Sequence, residues 1–268
     1  MHKLSEIWVY PIKSLGGIPL SQAKVETRGL QYDRRWMLVN EDGRFMSQRE
    51  IPEMALLRPE INATHLSVSH KDNPSDVIRI PLEWPVADLE IANVVIWDDT
   101  CTAAVLPQPI NDWFSSVLNQ NLRLVLMPET THRGADGNYA PEGQYVSFAD
   151  GFPFLLVGQA SLDDLNARLE KPLPMNRFRP NLVFTGGQPF EEDEWSDFNI
   201  GSVSFRGVKP CGRCSITTTD QETAERAAEP LKTLATFRSF GKKICFGQNV
   251  VWMGEGDAEV RVGDTIIR

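Results

Sequence analysis

Short apolar runs cut by turn residues fill the first half of the chain, and that spacing confines it to a fold built from sheets. Ile7-Trp8-Val9-Tyr10 is β-branched and aromatic, and Pro11 and the Gly16-Gly17 pair interrupt it. Arg35 to Val39 runs into Asp42-Gly43 and then Arg44 to Ser47. This predicts a hairpin, because Asp-Gly supplies the positive φ that a tight turn needs. His65 to Ser69 and Val77 to Leu82 alternate with period two, and Val94 to Trp97 and Thr102 to Leu106 continue the pattern. Strands this short and close imply a barrel or sandwich.

Helices are few. Ile110, Trp113, Phe114, Val117 and Leu118 share one face of a helix that starts near Pro109 and ends by Asn119 to Asn121, before a strand at Leu122 to Met127. Pro128 to Gln144 is polar and glycine-bearing, and reads as a surface loop or a domain junction. The second half restarts with Phe154 to Val157. Ser161 is expected to cap a helix, with Asp164 three residues on and Leu162, Leu165 and Leu169 inward. Further strands are expected at Leu182 to Thr185, Ser202 to Phe205, Ser215 to Thr219, Gln248 to Met253, Val260 to Val262 and Thr265 to Ile267. A short helix is expected over Pro230 to Phe240. The fold class is therefore β-rich α+β.

Charge narrows the partners. With 27 Lys and Arg against 36 Asp and Glu, a net −9 surface repels polyanions, so neither a nucleic acid polymer nor an anionic membrane is expected. No apolar run approaches the ~20 residues of a membrane span, and Met1 to Glu6 lack the core of a secretory signal. Four cysteines are too sparse for a disulfide framework, which points to a reducing compartment, the cytoplasm.

Lys209-Pro210-Cys211-Gly212-Arg213-Cys214 is the stretch richest in chemistry. A zinc knuckle would need a second ligand pair, which Cys101, Cys245 and the four histidines do not supply in metal spacing. A thioredoxin-like pair would need a following helix, where a strand is expected. A single thiolate on a soft metal beside Arg213 and an inert, partly buried pair are the other two readings. Basic residues also recur at strand ends: Lys13, the pair Arg34-Arg35, and Arg177-Phe178-Arg179. They are either ordinary surface charges or converge on one anion such as a phosphate. No Walker loop, dinucleotide fingerprint or Gly-x-Ser-x-Gly elbow occurs, and His2, His65, His70 and His132 suggest no triad. Glu191 to Glu194 reads as a solvated acidic loop.

Tyr10-Pro11-Ile12-Lys13-Ser14, Asp33-Arg34-Arg35-Trp36, Arg177-Phe178-Arg179-Pro180-Asn181, Lys209 to Cys214 and Phe246-Gly247-Gln248 occur in that order. Together they resemble the MOSC family with its amino-terminal β-barrel partner domain, over essentially the whole chain. The resemblance implies an amino-terminal β-barrel-like domain at 1–127 packed on a β-barrel MOSC domain at 128–268. It also implies a molybdenum cofactor, a molybdopterin bearing the metal, between the two domains. Cys214 matches the metal's protein ligand and the catalytic position. Lys13, Ser14 and Arg34 would hold the pterin's phosphate, and Arg179 and Asn181 would contact the cofactor from the other side. Gly212 and Arg213 flank the ligand. Asp150, Gly151 and Phe152 match a cofactor-contacting turn where the family often has Thr-Ser, and Gln248 matches a nearby position.

The family's reaction removes oxygen from N-hydroxylated small molecules (hydroxylamines, amidoximes, N-hydroxylated bases) in two electrons. Some members carry a ferredoxin module. The chain stops at Arg268 without one, so a separate donor protein is expected: a ferredoxin, a flavodoxin or a reductase. The alternatives are a non-enzymatic carrier of molybdenum cofactor or of sulfur, and a cofactor-free anion-binding module.

Overall fold

A computed structural model describes residues 1–268. Its first strand, His2–Val9, buries Leu4, Ile7 and Val9. A register shift between Leu4 and Glu6, where a bulge adds one residue, puts Ile7 rather than a strict alternate on the inner face. The strand pairs with Leu182–Thr185 on one side and Thr265–Ile267 on the other. The series continues through Asp197–Ile200, Val203–Gly212, Lys243–Trp252 and Phe154–Gly158, which returns to Leu182–Thr185 in parallel. Seven strands thus close on themselves, and closure removes the free edges.

Leu4, Ile7, Phe154, Leu156, Phe184, Phe198, Phe205, Val250 and Ile266 belong to the barrel's 19-residue core. Ala23, Val25 and Leu30, from the small sheet Ala258–Arg261, Gln22–Glu26 and Gly29–Leu30, join it. Phe154–Gly158 is buried on both faces: Leu155 and Val157 turn outward under the helix Gln159–Asn166.

A second body is built from two open sheets. Trp36–Val39, Arg123–Leu126, Asp99–Val105 and Glu90–Ile96 form one, and Leu57–Ile61, His65–His70 and Asn73–Pro81 the other. The helix Gln108–Leu118 packs Ile110, Phe114 and Leu118 into their core, and Asn119 in the left-handed region (φ 49°) ends it. The chain crosses between the bodies three times. Residues 10–17 make an excursion in which Ile12 and Leu15 enter the second core, residues 31–35 lead into it, and residues 127–153 return.

Several expectations are corrected. Ser215–Thr218 is a 3-10 turn, not a strand, because the Thr217 and Thr218 hydroxyls donate back to the carbonyls of Cys214 (3.0 Å) and Ser215 (2.7 Å). The helix after Pro230 is a single turn, Leu231–Leu234. The chain then enters a hairpin of Ser239–Phe240 with Lys243–Trp252, which Gly241 turns at φ 60°. Ser161 lies inside its helix and hydrogen-bonds Glu192 at 2.8 Å instead of capping. Glu192, in the acidic run, is fully buried, and burial raises its pKa against the hydrogen bonds from Gly158 and Ser161. After the Asp42-Gly43 turn, Arg44 and Phe45 pair only through isolated bridges. The Pro128 to Gln144 segment contributes a two-residue strand, Arg133–Gly134, paired with Tyr145–Val146.

Candidate functional site

Each crossing between the bodies leaves polar groups on one open-mouthed cleft, with a cavity volume of about 130 Å³. The Tyr10 amide donates to the buried Asp33 carboxylate (2.8 Å) and the Arg34 amide to the Tyr10 carbonyl (2.9 Å), so the first two crossings are tied together. The Tyr10 ring is buried between two guanidinium groups, Arg34 at 4.4 Å and Arg179 at 4.2 Å. Such stacking attracts each cation to the ring face and holds like charges side by side. Gly17 leaves the room: a Cβ there would stand 2.5 Å from the Tyr10 ring. Burial raises the Tyr10 hydroxyl pKa far above its usual value, although both arginines oppose it.

Three of the eight non-glycine residues with positive φ line this cleft: Ser14 (70°), Arg34 (50°) and Arg179 (55°). Strain of that kind persists only where surrounding contacts impose it, and it clusters at ligand sites.

The cations are held individually. Lys13 is buried and donates to the Phe148 carbonyl (2.8 Å) and to Asp150 (2.6 Å). Burial lowers its pKa, and Asp150 only partly restores it. The Lys13 ammonium and the Trp97 indole hold the Asp150 carboxyl well below the usual range. Arg133, from the third crossing, bonds the carbonyls of Ser147, Ala149 and Asp150, and so fixes the turn that carries Asp150, Gly151 and Phe152. Arg34 reaches Asp33 (2.6 Å), the Asn181 side chain (3.1 Å) and the Arg179 carbonyl (3.3 Å). One Arg179 nitrogen bonds the Leu15 carbonyl at 2.7 Å, while the other, Nη2, is buried with no partner. Burial lowers the Arg179 pKa to about 10, which still leaves it charged at neutral pH.

The opposite wall is the end of Val203–Gly212. Arg213 is anchored to the Ile244 carbonyl through its amide and to the Phe178 carbonyl through Nη2, both at 2.7 Å. Its Nη1 points at the Cys211 sulfur (3.1 Å). Cys214 is half-buried at the head of the 3-10 turn and lines the cleft, and its thiol makes no hydrogen bond. All four cysteines are free, and no three His, Cys, Asp or Glu side chains form a metal-binding set.

Lys13, Ser14, Arg34, Asp150, Gly151, Phe152, Arg179, Asn181, Arg213 and Cys214 therefore converge on one cleft. Gln248 does not. Strand alternation turns it inward, with its amide nitrogen 3.5 Å from the carbonyls of Asp193 and Trp195, and Asn249 lines the cleft instead. Gly212 faces the Lys243 stem in an adjoining groove. Phe45, Arg49, Phe178 and Cys211 also line the cleft. Arg49 sits in a polar run, Ser47-Gln48-Arg49-Glu50, that gives no sequence signal.

Two family models match the chain: the MOSC N-terminal beta barrel domain over residues 1–121 and the MOSC domain over residues 143–267. Mitochondrial amidoxime-reducing component 1 of Homo sapiens is 32% identical over 98% of this chain and 82% of its own length. The chain belongs to the MOSC family.

Molybdenum cofactor sulfurase of Solanum lycopersicum is 30% identical over 99% of this chain, which spans 36% of that protein. The YUAD protein of Bacillus subtilis superposes over 99% of this chain and 94% of its own, with TM-score 0.45 and 9% identity. The strand His2–Val9 falls within the MOSC N-terminal match but forms a stave of the barrel, whose other six strands come from the MOSC match. No helix is long and apolar enough to cross a membrane.

Proposed function

We propose that this chain binds a molybdenum cofactor in the cleft and reduces N-hydroxylated small molecules, drawing electrons from a separate carrier such as a ferredoxin, a flavodoxin or a reductase. One observation carries the reading. Cys214, whose thiol has no hydrogen-bond partner, and Arg179, whose buried Nη2 has no acceptor, line the same cleft. A ligand with a soft metal at one end and an anion at the other would complete both.

The donor set suits such a group. Molybdenum is thiophilic, so a lone thiolate is an apt protein ligand when the organic part supplies the other sulfurs. Five cations line the cleft against the single carboxylate Asp150, in a chain of net charge −9. Lys13, Ser14 and Arg34 would hold the phosphate from one side, with Arg179 and Asn181 on the other and Gly151 leaving open room beside Asp150. Each charge-assisted hydrogen bond to that phosphate is worth about 1.5–3 kcal/mol. When bound, the cofactor supplies two-electron chemistry that removes the N-hydroxy oxygen as water. The protein's part is to fix the thiolate by the backbone of the 3-10 turn, neutralise the phosphate, and shield the inner end with Phe178 and Phe154. Four free thiols suit a reducing compartment, the cytoplasm among them.

Elemental analysis of wild type and Cys214→Ala tests this. The expected result is about one molybdenum per wild-type chain, and loss of amidoxime reduction with unchanged circular dichroism in the variant. Full activity in Cys214→Ala would remove Cys214 as the ligand, whereas cofactor passed to an acceptor protein without any turnover would replace the enzyme with the carrier reading. A persulfide on Cys211 or Cys214, seen as a mass gain, would mark sulfur transfer.

A further inference from the structure

At the mouth of the cleft lies a cation that nothing in the protein satisfies. Arg49 lines the space, yet its guanidinium forms no ion pair and donates no hydrogen bond. Its neighbour Glu50 is taken by Arg44 and Ser47. Asp150 feels the charge but is engaged by Lys13 and Trp97. What holds Arg49 is aromatic: the Trp97 ring at 4.1 Å and the Phe45 ring at 5.4 Å.

Trp97 is itself a built feature. It sits in the tight connection between Glu90–Ile96 and Asp99–Val105 with φ 57°, a conformation that bulky residues rarely adopt. It is 47% exposed, and its indole nitrogen donates to Asp150 at 3.0 Å. A strained, exposed tryptophan tied to the cleft turn therefore braces an unpaired arginine that lines the cleft. The inner cations Lys13, Arg34 and Arg179 lie deeper and are buried or nearly so, which suits a phosphate held there; Arg49 is at the rim.

We infer that Arg49, braced by Trp97, is a specificity-determining residue that recognises an anionic substituent, a carboxylate or phosphate, on the N-hydroxylated substrate. The inference rests on the cleft being the reductive site proposed above. The aromatic face keeps the guanidinium oriented without neutralising it, so its donors remain available for a bidentate contact.

The test uses the cofactor-loaded protein and two probes, benzamidoxime and its para-carboxylated counterpart. Both KM and calorimetric Kd are measured, and each readout is the ratio of the neutral to the charged compound. Wild type should favour the carboxylate by about tenfold, the size of one half-exposed charge-assisted contact. Arg49→Ala should bring the ratio near one, and Arg49→Lys should keep part of the preference. Trp97→Leu should weaken it without changing metal content. A ratio unchanged in Arg49→Ala overturns the inference, and molybdenum lost together with an unchanged ratio assigns Arg49 to the cofactor's phosphate instead. Calorimetry separates the two claims: selective binding without turnover sinks the reductase and keeps the selector, while turnover without selectivity does the reverse.

Discussion

The barrel and the second body are both made of short strands, yet they contribute to the cleft in opposite ways. The barrel is closed, and Cys211, Gly212 and Arg213 hang from the end of one of its long strands. The second body has two open sheets, and its residues at the cleft, Phe45 and Arg49, come from a turn and the segment after it. Lys13, Ser14, Arg34 and Asp150 belong properly to neither, since they lie on the crossings. A closed barrel fixes the thiol wall, while the crossings set the charged wall wherever the two bodies dock. The charged wall is therefore the part most exposed to any loosening between them.

The strongest way to break this comparison is to unpack each core in turn. Phe205 is fully buried and meets Phe154 and Phe198 edge-on and stacked, so Phe205→Ala should cost about 3–5 kcal/mol. Leu124→Ala in the other core should cost about 2–5 kcal/mol. Because three crossings bind the bodies, urea unfolding followed by fluorescence and by circular dichroism should give one coincident transition in both variants. Two separated transitions would show independent bodies. Next comes Tyr10. Tyr10→Leu removes both cation–π contacts, at up to ~2 kcal/mol each when desolvated, and should lower stability and cofactor retention together. Tyr10→Phe keeps the ring and deletes only a buried hydroxyl without a partner, so it should match wild type or exceed it.

Arg179→Met should leave the fold intact and weaken inorganic phosphate binding by about 1.5–3 kcal/mol, read by calorimetry. The smallest effect is on pH. The Lys13 pKa is lowered, so its charge is lost as pH rises before the ordinary 10.5, and phosphate affinity should fall in that window. Lys13→Met should bind more weakly throughout and keep only the part of the fall that Arg179, with its pKa of about 10, contributes. A wild-type profile flat up to 10.5 would mean that Lys13 does not face the anion.

The strands were largely legible because alternation and turn residues are local signals, and the helix face at Ile110, Phe114 and Leu118 was equally plain. Misreadings came where side chains compete with the backbone. Thr217 and Thr218 look like strand residues by propensity but use their hydroxyls to tighten a turn. Glu192 looks solvated by composition but is drawn inward by Gly158 and Ser161. The cleft residues were found through motifs, and ten of them do converge, whereas Arg49 and Asn249 were missed because only tertiary packing brings them there. Gln248 failed by a single step of strand parity. Nothing local reveals that His2–Val9 is a barrel stave, since the partners that place it in the barrel lie at 182–185 and 265–267.

That last pairing has a temporal consequence. His2 sits opposite Ile266 and Lys3 opposite Thr265, so the start of the first stave stays unpaired there until residues 265–267 arrive, while Ile7 to Val9 already pair with Ile18–Leu20. Contacts of such long sequence separation form late, which makes closing the barrel a late step of folding.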